Sequence, residues 1–138
     1  MQKIIIDTNV LISALIQKSY PNFILFHCVF ENRFEVCISE ELLEEYLEVI
    51  NRPKFSKYPD FLIKAELVIS QIESIASKFY PKDRFETIAD NADNRLLELA
   101  YESNADFIIT GNSNDFTMTE FRGTKIVSPK EFWVQFGR

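Results

Sequence analysis

Short apolar runs alternate along this chain with stretches of helical periodicity, and that alternation restricts the fold more than any other feature. Residues 3–6, 34–38, 107–110 and 125–127 are rich in Ile, Val and Phe and read as strands, with a further brief one at 79–80. Helical patterns lie between them. One begins at Val10, and a second spans residues 21–32 with Pro21 in its first turn. A third runs from Ser39, as N-cap, to about residue 51, where Arg52-Pro53 ends it. Others cover residues 59 to about 77 and 90 to about 103. At the C-terminal end, Ser128 as N-cap and Pro129 at the first helical position start a last helix. The pattern predicts an α/β architecture with a central, mainly parallel sheet of about four to five strands flanked by helices.

The length of 138 residues suits one domain with a real core, and no linker, repeat or low-complexity tract divides it. No apolar run approaches the roughly 20 residues of a membrane span. The first residues, Met1 to Asp7, do not read as a signal peptide, because their apolar run is short and ends in an acid. A cytoplasmic protein with no membrane partner is expected. Cys28 and Cys37 have no metal-ligand spacing and read as reduced, buried small hydrophobes. The net charge of −6 argues against a strongly basic nucleic-acid grip. It is compatible with acids gathered at a metal site, where bound cations reverse the local charge, and it leaves room for a basic partner.

In open parallel sheets, ligands bind beyond the carboxyl ends of the strands. The first strand runs directly into Asp7, Thr8 and Asn9, and the strand at 107–110 runs into Thr110, Gly111, Asn112 and then Asp115. Asp7 also has the place of a helix cap. Asp93 precedes Leu96, Leu97 and Ala100 by three, four and seven residues, which sets it on the apolar face of its helix. A carboxylate there is costly unless paired or metal-bound, although it also answers the positive helix end, with Asp90 as N-cap. The helix after Ser39 carries Glu40, Glu41, Glu44, Glu45 and Glu48 beside an apolar stripe of Leu42, Leu43, Tyr46, Leu47 and Ile50. Glu44 and Glu45 flank that stripe equally, so periodicity does not choose between them. Mg²⁺ and Mn²⁺ prefer such hard oxygen donors, and three or four carboxylates on different elements suffice to hold them. No nucleophile competes for the chemistry. The one histidine, His27, lies in an apolar helical stretch and reads as structural or half exposed.

These residues resemble the PIN-domain nucleases, and especially the VapC-like branch of toxins from toxin–antitoxin pairs. The resemblance covers nearly the whole chain, residues 1–138 as a single domain. It is carried by Asp7-Thr8-Asn9-Val10, Ser39-Glu40-Glu41-Leu42-Leu43-Glu44-Glu45-Tyr46, Asn51-Arg52-Pro53-Lys54-Phe55, Asp90-Asn91-Ala92-Asp93-Asn94, Ala105 to Asn112, and Lys125 to Phe132, in that order. It implies a three-layer PIN-like fold and a Mg²⁺- or Mn²⁺-dependent endoribonuclease acting on RNA. It implies metal-binding acids at Asp7, Glu45 and Asp93, so it selects Glu45 over Glu44. Thr8, Asn9 and Thr110 would support the site. It also implies a cognate antitoxin and a homodimer.

The chain departs from the family where many PIN domains carry a fourth acid. Asn112 stands there, and Asp115 follows three residues later as the acid able to take that catalytic place. On this reading, a metal held by Asp7, Glu45 and Asp93 orients a water for in-line attack on the phosphodiester. Arg52, Lys54 and Lys57, or Arg122 and Lys125, are candidates to steer the RNA, against a background in which such side chains are simply solvated. An aspartyl-phosphatase reading is weakened by Asn9, where a second Asp is wanted. A dinucleotide site is weakened by the missing Gly-rich loop. The remaining alternative is a PIN-like module without catalysis that binds RNA or a protein partner.

Overall fold

The computed structural model describes residues 1–112 and 116–137. Ile4, Ile5 and Ile6 of β1 (Lys3–Ile6) are all buried. Successive strand residues point to opposite sides of a sheet, so burial of all three requires both faces to be covered. The same holds for Phe107, Ile108 and Ile109 of β4 (Phe107–Ile109). These two strands sit in the middle of a six-stranded sheet of order β3-β2-β1-β4-β6-β5. The other strands are β2 (Glu35–Ile38), β3 (Ser77–Lys78), β5 (Glu120–Phe121) and β6 (Thr124–Val127). Every pairing is parallel except β5 with β6.

The helices are α1 (Thr8–Ile16), α2 (Tyr20–Ile24), α3 (Glu40–Ile50), α4 (Phe61–Ile75), α5 (Asn91–Ser103) and α6 (Pro129–Phe136). None of them is long and apolar enough to cross a membrane, among the described residues. Ser39 caps α3 by accepting from the Leu42 amide. Ser128 caps α6 with Pro129 in its first turn, as the sequence predicts, and Glu131 completes a reciprocal capping box. From α6, Phe132 plugs the core against Phe34, Phe107 and Phe136, with ring centroids 5.0, 5.6 and 5.1 Å away.

The expected α/β sheet is present, with differences at its margins. The sheet exceeds four to five strands because two edge strands of two residues each complete it. The brief strand expected at 79–80 lies at Ser77–Lys78, where it pairs with Cys37 and Ile38. β5 joins β6 through Arg122 and Gly123, both at positive φ (48° and 92°). The helix expected over 21–32 is α-helical only over Tyr20–Ile24 and then widens into a π-helical turn, Leu25–Val29, and Asn32 at φ 55° turns the chain toward β2. α4 starts at Phe61 rather than at residue 59 because Asp60 is left-handed, with φ 56°. Leu47, placed in the apolar stripe of α3, is 41% exposed.

Phe132→Ala removes the central ring of this cluster. A loss of about 3–5 kcal/mol in urea unfolding is expected, the range for deleting a buried aromatic ring.

Candidate active site

Asp7 lies where β1 becomes α1. Its amide donates to the Ile109 carbonyl at 3.0 Å, which continues the β1–β4 ladder by one residue. Its side chain caps α1, with Oδ1 accepting from the Thr8 amide at 2.7 Å. The capping reading of Asp7 is therefore correct, but it uses only one oxygen. Oδ2 accepts from the hydroxyl of Thr110, the residue after β4, at 2.7 Å. Thr110 Oγ1 in turn accepts from the Asn112 amide at 3.1 Å. Asn9 Oδ1 accepts from the Gly111 amide at 3.1 Å and ties the same two loops together.

α3 brings the next carboxylate. Glu45 Oε2 accepts a short hydrogen bond from the Thr8 hydroxyl. Glu44 is exposed, whereas Glu45 is half-buried and its side chain turns to Thr8. Beside it, Tyr46 is fully buried and its hydroxyl donates to the carbonyl of Ile6, the last residue of β1. Nothing in the helical pattern distinguished Tyr46 from an ordinary core residue, yet it docks α3 onto the strand end that carries Asp7.

α5 contributes from a third side. Asp90 is its N-cap and accepts from the amides of Ala92 and Asp93 at 2.8 and 3.2 Å. Asp93 is buried at 9% exposure, on the inward face that its spacing predicted. Two further polar residues of α5, Asn94 and Glu98, are each 1% exposed. Asn94 bonds both the amide and the carbonyl of Ile88, at 2.9 and 2.7 Å. Glu98 accepts from the Phe85 amide at 2.8 Å and pairs with Arg84 and Arg95 at 3.0 and 2.7 Å. Together they hold the irregular segment 79–90, which leads into Asp90. The sequence gives Asn94 a place in the Asp90–Asn94 stretch but no role, and it gives Glu98 none, although their i, i+4 spacing is an available signal.

Asp7, Thr8, Asn9, Glu45, Asp90, Asp93 and Asn112 all line one open cleft of about 500 Å³, with Arg52, Lys54 and Phe55 on its rim. Among the expected cations, Lys57, Arg122 and Lys125 do not line it. Arg122 lies instead over the rings of Phe85, Tyr101 and Phe121, 4.8, 4.9 and 5.3 Å from their centroids. Asp115 lies outside the described residues. His27 is exposed, 3.1 Å from Glu31 and against Trp133. Both cysteines are free and buried, and burial pushes the Cys37 thiol up to about 11.

The electrostatics centre on Asp7. Burial raises its carboxyl from 3.8 to about 6, against the two hydrogen bonds from Thr110 and Thr8. The charges of Glu45 and Asp90 raise it further. A divalent cation with oxygen donors is the group that would relieve this crowding of acids. Among the described residues, however, no three His, Cys, Asp or Glu side chains are grouped so that they could hold a metal as they stand. The donor chemistry fits such an ion, while the acids flank the cleft without converging.

A parallel α/β sheet with several acids lining one cleft defines the class, and sequence comparison supplies the family. Residues 3–114 match the sequence model of the PIN domain family. The uncharacterized protein MJ1680 of Methanocaldococcus jannaschii is 31% identical over 145 residues, covering 97% of this chain and 91% of that protein. The VapBC2 complex of Rickettsia felis, whose crystal structure contains a DNA fragment from its promoter, includes a chain of the same fold. The TM-score is 0.58 at 15% identity, covering 92% of this chain and 98% of that one. The chain belongs to the PIN domain family.

Because the folded-state pKa of Asp7 lies above its ordinary 3.8, its charged form is the disfavoured one in the fold. Stability present below pH about 4 is lost as pH rises through about 6, by a contribution on the order of 3 kcal/mol. In EDTA, Asp7→Asn is expected to remove this loss and to be more stable than wild type at neutral pH. Parallel pH–stability curves for the two proteins would contradict it.

Proposed function

We propose that this PIN-domain protein is a Mg²⁺- or Mn²⁺-dependent endoribonuclease and the toxin of a toxin–antitoxin pair. The observation that carries the reading is a buried carboxylate, Asp7, whose charged neighbours Glu45 and Asp90 are also acids, with Asp93 in the same cleft. Asp7, Glu45 and Asp93 are the residues that would hold the ion, with Asn112 or Asp115 in the place of a fourth donor. When bound, a divalent ion polarises a phosphodiester and lowers the pKa of water.

The protein's own groups do the rest. Thr110 and the Thr8 amide each occupy one lone pair of Asp7 and fix its carboxylate plane. Thr8 holds Glu45 toward the cleft. Arg52 and Lys54 at the rim supply positive charge for the RNA backbone, and the cleft stays open enough to admit a polymer. Membership of the PIN domain family supports hydrolysis of a phosphodiester. The likeness to a VapBC2 complex, and a chain charge of −6 suited to a basic partner, support a cognate antitoxin. The protein is read as cytoplasmic and homodimeric.

A second reading, a PIN-like module that binds without cutting, draws on Asn112 and on the unconverged acids. Purified protein incubated with structured RNA in Mn²⁺, Mg²⁺ or EDTA separates the two. Cleavage should require metal. Asp7→Asn, Glu45→Gln and Asp93→Asn should each lower it by roughly 100-fold or more while remaining folded. Cleavage that persists equally in all variants would defeat the assignment. Mn²⁺ at about 100 times its dissociation constant should also stabilise the wild type by about 2.7 kcal/mol, and the Asp7→Asn variant far less. No shift in the wild type would favour the binding module.

A further inference from the structure

The 3₁₀ turn Pro53–Phe55 stands between two depressions. One is the acidic cleft. The other is a groove of about 280 Å³ walled by Phe55, Tyr58 and Phe61, with Asp60 at its edge. The two share Arg52 and Phe55 as a common wall. Phe55 and Phe61 stack at 5.0 Å with their planes 20° apart and form a flat floor, and Tyr58 leans on Phe61 at 6.3 Å. Tyr58 is 36% exposed, and Lys57 Nζ lies over its ring, 5.4 Å from the centroid, so ring and cation stand together at the groove. Asp60 makes no capping bond to α4, which leaves its carboxylate as an acceptor at the groove edge.

Charge selects the occupant. The chain carries −6 overall, yet residues 52–60 hold the cations Arg52, Lys54 and Lys57 against the single acid Asp60. The ion pair from Arg52 to Glu48 is exposed and restrains it little. A basic peptide would be repelled from this rim, whereas a polyanion would be drawn to it. Aromatic rings set among cations are the recurring means of binding unstacked nucleotides, since every base has a π-face.

Resting on the ribonuclease reading above, we infer that this groove is a nucleobase subsite. It receives the base of a nucleotide next to the scissile phosphate, with Tyr58 as its stacking platform and Arg52 and Lys54 on the intervening backbone. A base buried in a duplex cannot reach it, so the subsite engages only a base that is unpaired.

Fluorescence anisotropy of a labelled oligoribonucleotide of about ten nucleotides, with the intact protein in Ca²⁺, tests this. Tyr58→Ala should weaken single-strand binding by roughly 5- to 100-fold. Tyr58→Phe, which keeps the ring, should bind close to wild type, and an oligomer of abasic residues should bind weakly to all three proteins. Equal affinity of wild type and Tyr58→Ala, or of normal and abasic oligomers, would overturn the subsite. Cleavage in Mn²⁺ that depends on Asp7 but is indifferent to Tyr58 in KM would sink the groove and leave the nuclease standing. Tyr58-dependent binding without any cleavage would support the groove and remove the nuclease.

Discussion

Everything in the candidate site depends on the register of β1 against β4. Ile5 pairs with Ile108 and Ile6 with Ile109, and the ladder runs on by one more bond into Asp7. A slip of one residue would turn each strand's side chains to the opposite face of the sheet. With both faces covered, such a slip exchanges one apolar side chain for another inside the strand but misplaces the polar pair at its end. The Thr110 hydroxyl then no longer meets Asp7. Hydrophobic burial of two short strands thus sets the position of a carboxylate to within a hydrogen-bond length.

That carboxylate works against the fold that holds it. It is buried, its charge is opposed by Glu45 and Asp90, and two hydrogen bonds only partly compensate. Buried acids of this kind cluster at functional sites because the arrangement has a use that stability alone does not supply. The surroundings are correspondingly rigid. Tyr46 ties α3 to β1, Asn9 ties the two strand-end loops together, and Asn94 and Glu98 hold the segment that leads into α5. Each acid therefore arrives on an element fastened by side chains that are not themselves acids at the cleft.

Much of this was legible in the sequence. The central strands are uninterrupted β-branched or aromatic runs, and the caps at Ser39, Asp90 and Ser128 announce their helices by residue type alone. Asp7 was visible because it ends a strand, and Asp93 because it lies on the wrong face of a helix for a charge. What could not be read depends on contacts between distant segments. Glu44 and Glu45 are equivalent along α3 and differ only through Thr8. β3 is defined by two partners on β2, not by its own composition. Beyond Phe79 the segment has no periodicity of its own, and side chains of α5 rather than a backbone ladder satisfy the amides of Lys82, Phe85 and Ile88. Asn94 and Glu98 look like surface residues until that segment is laid over them.

The pairing of β1 with β4 has a bearing on how the protein is made. The first strand to leave the ribosome finds β2 about thirty residues later, but its other edge stays open until residues 107–109 have been synthesised. Asp7 and Thr110 are 103 positions apart. Synthesis at roughly 5–20 residues per second then gives a delay of several seconds or more. Through that interval the growing polypeptide has its first acid but not the strand that orients it. A cleft that needs Thr110 beside Asp7 thereby stays unassembled until the chain is nearly finished.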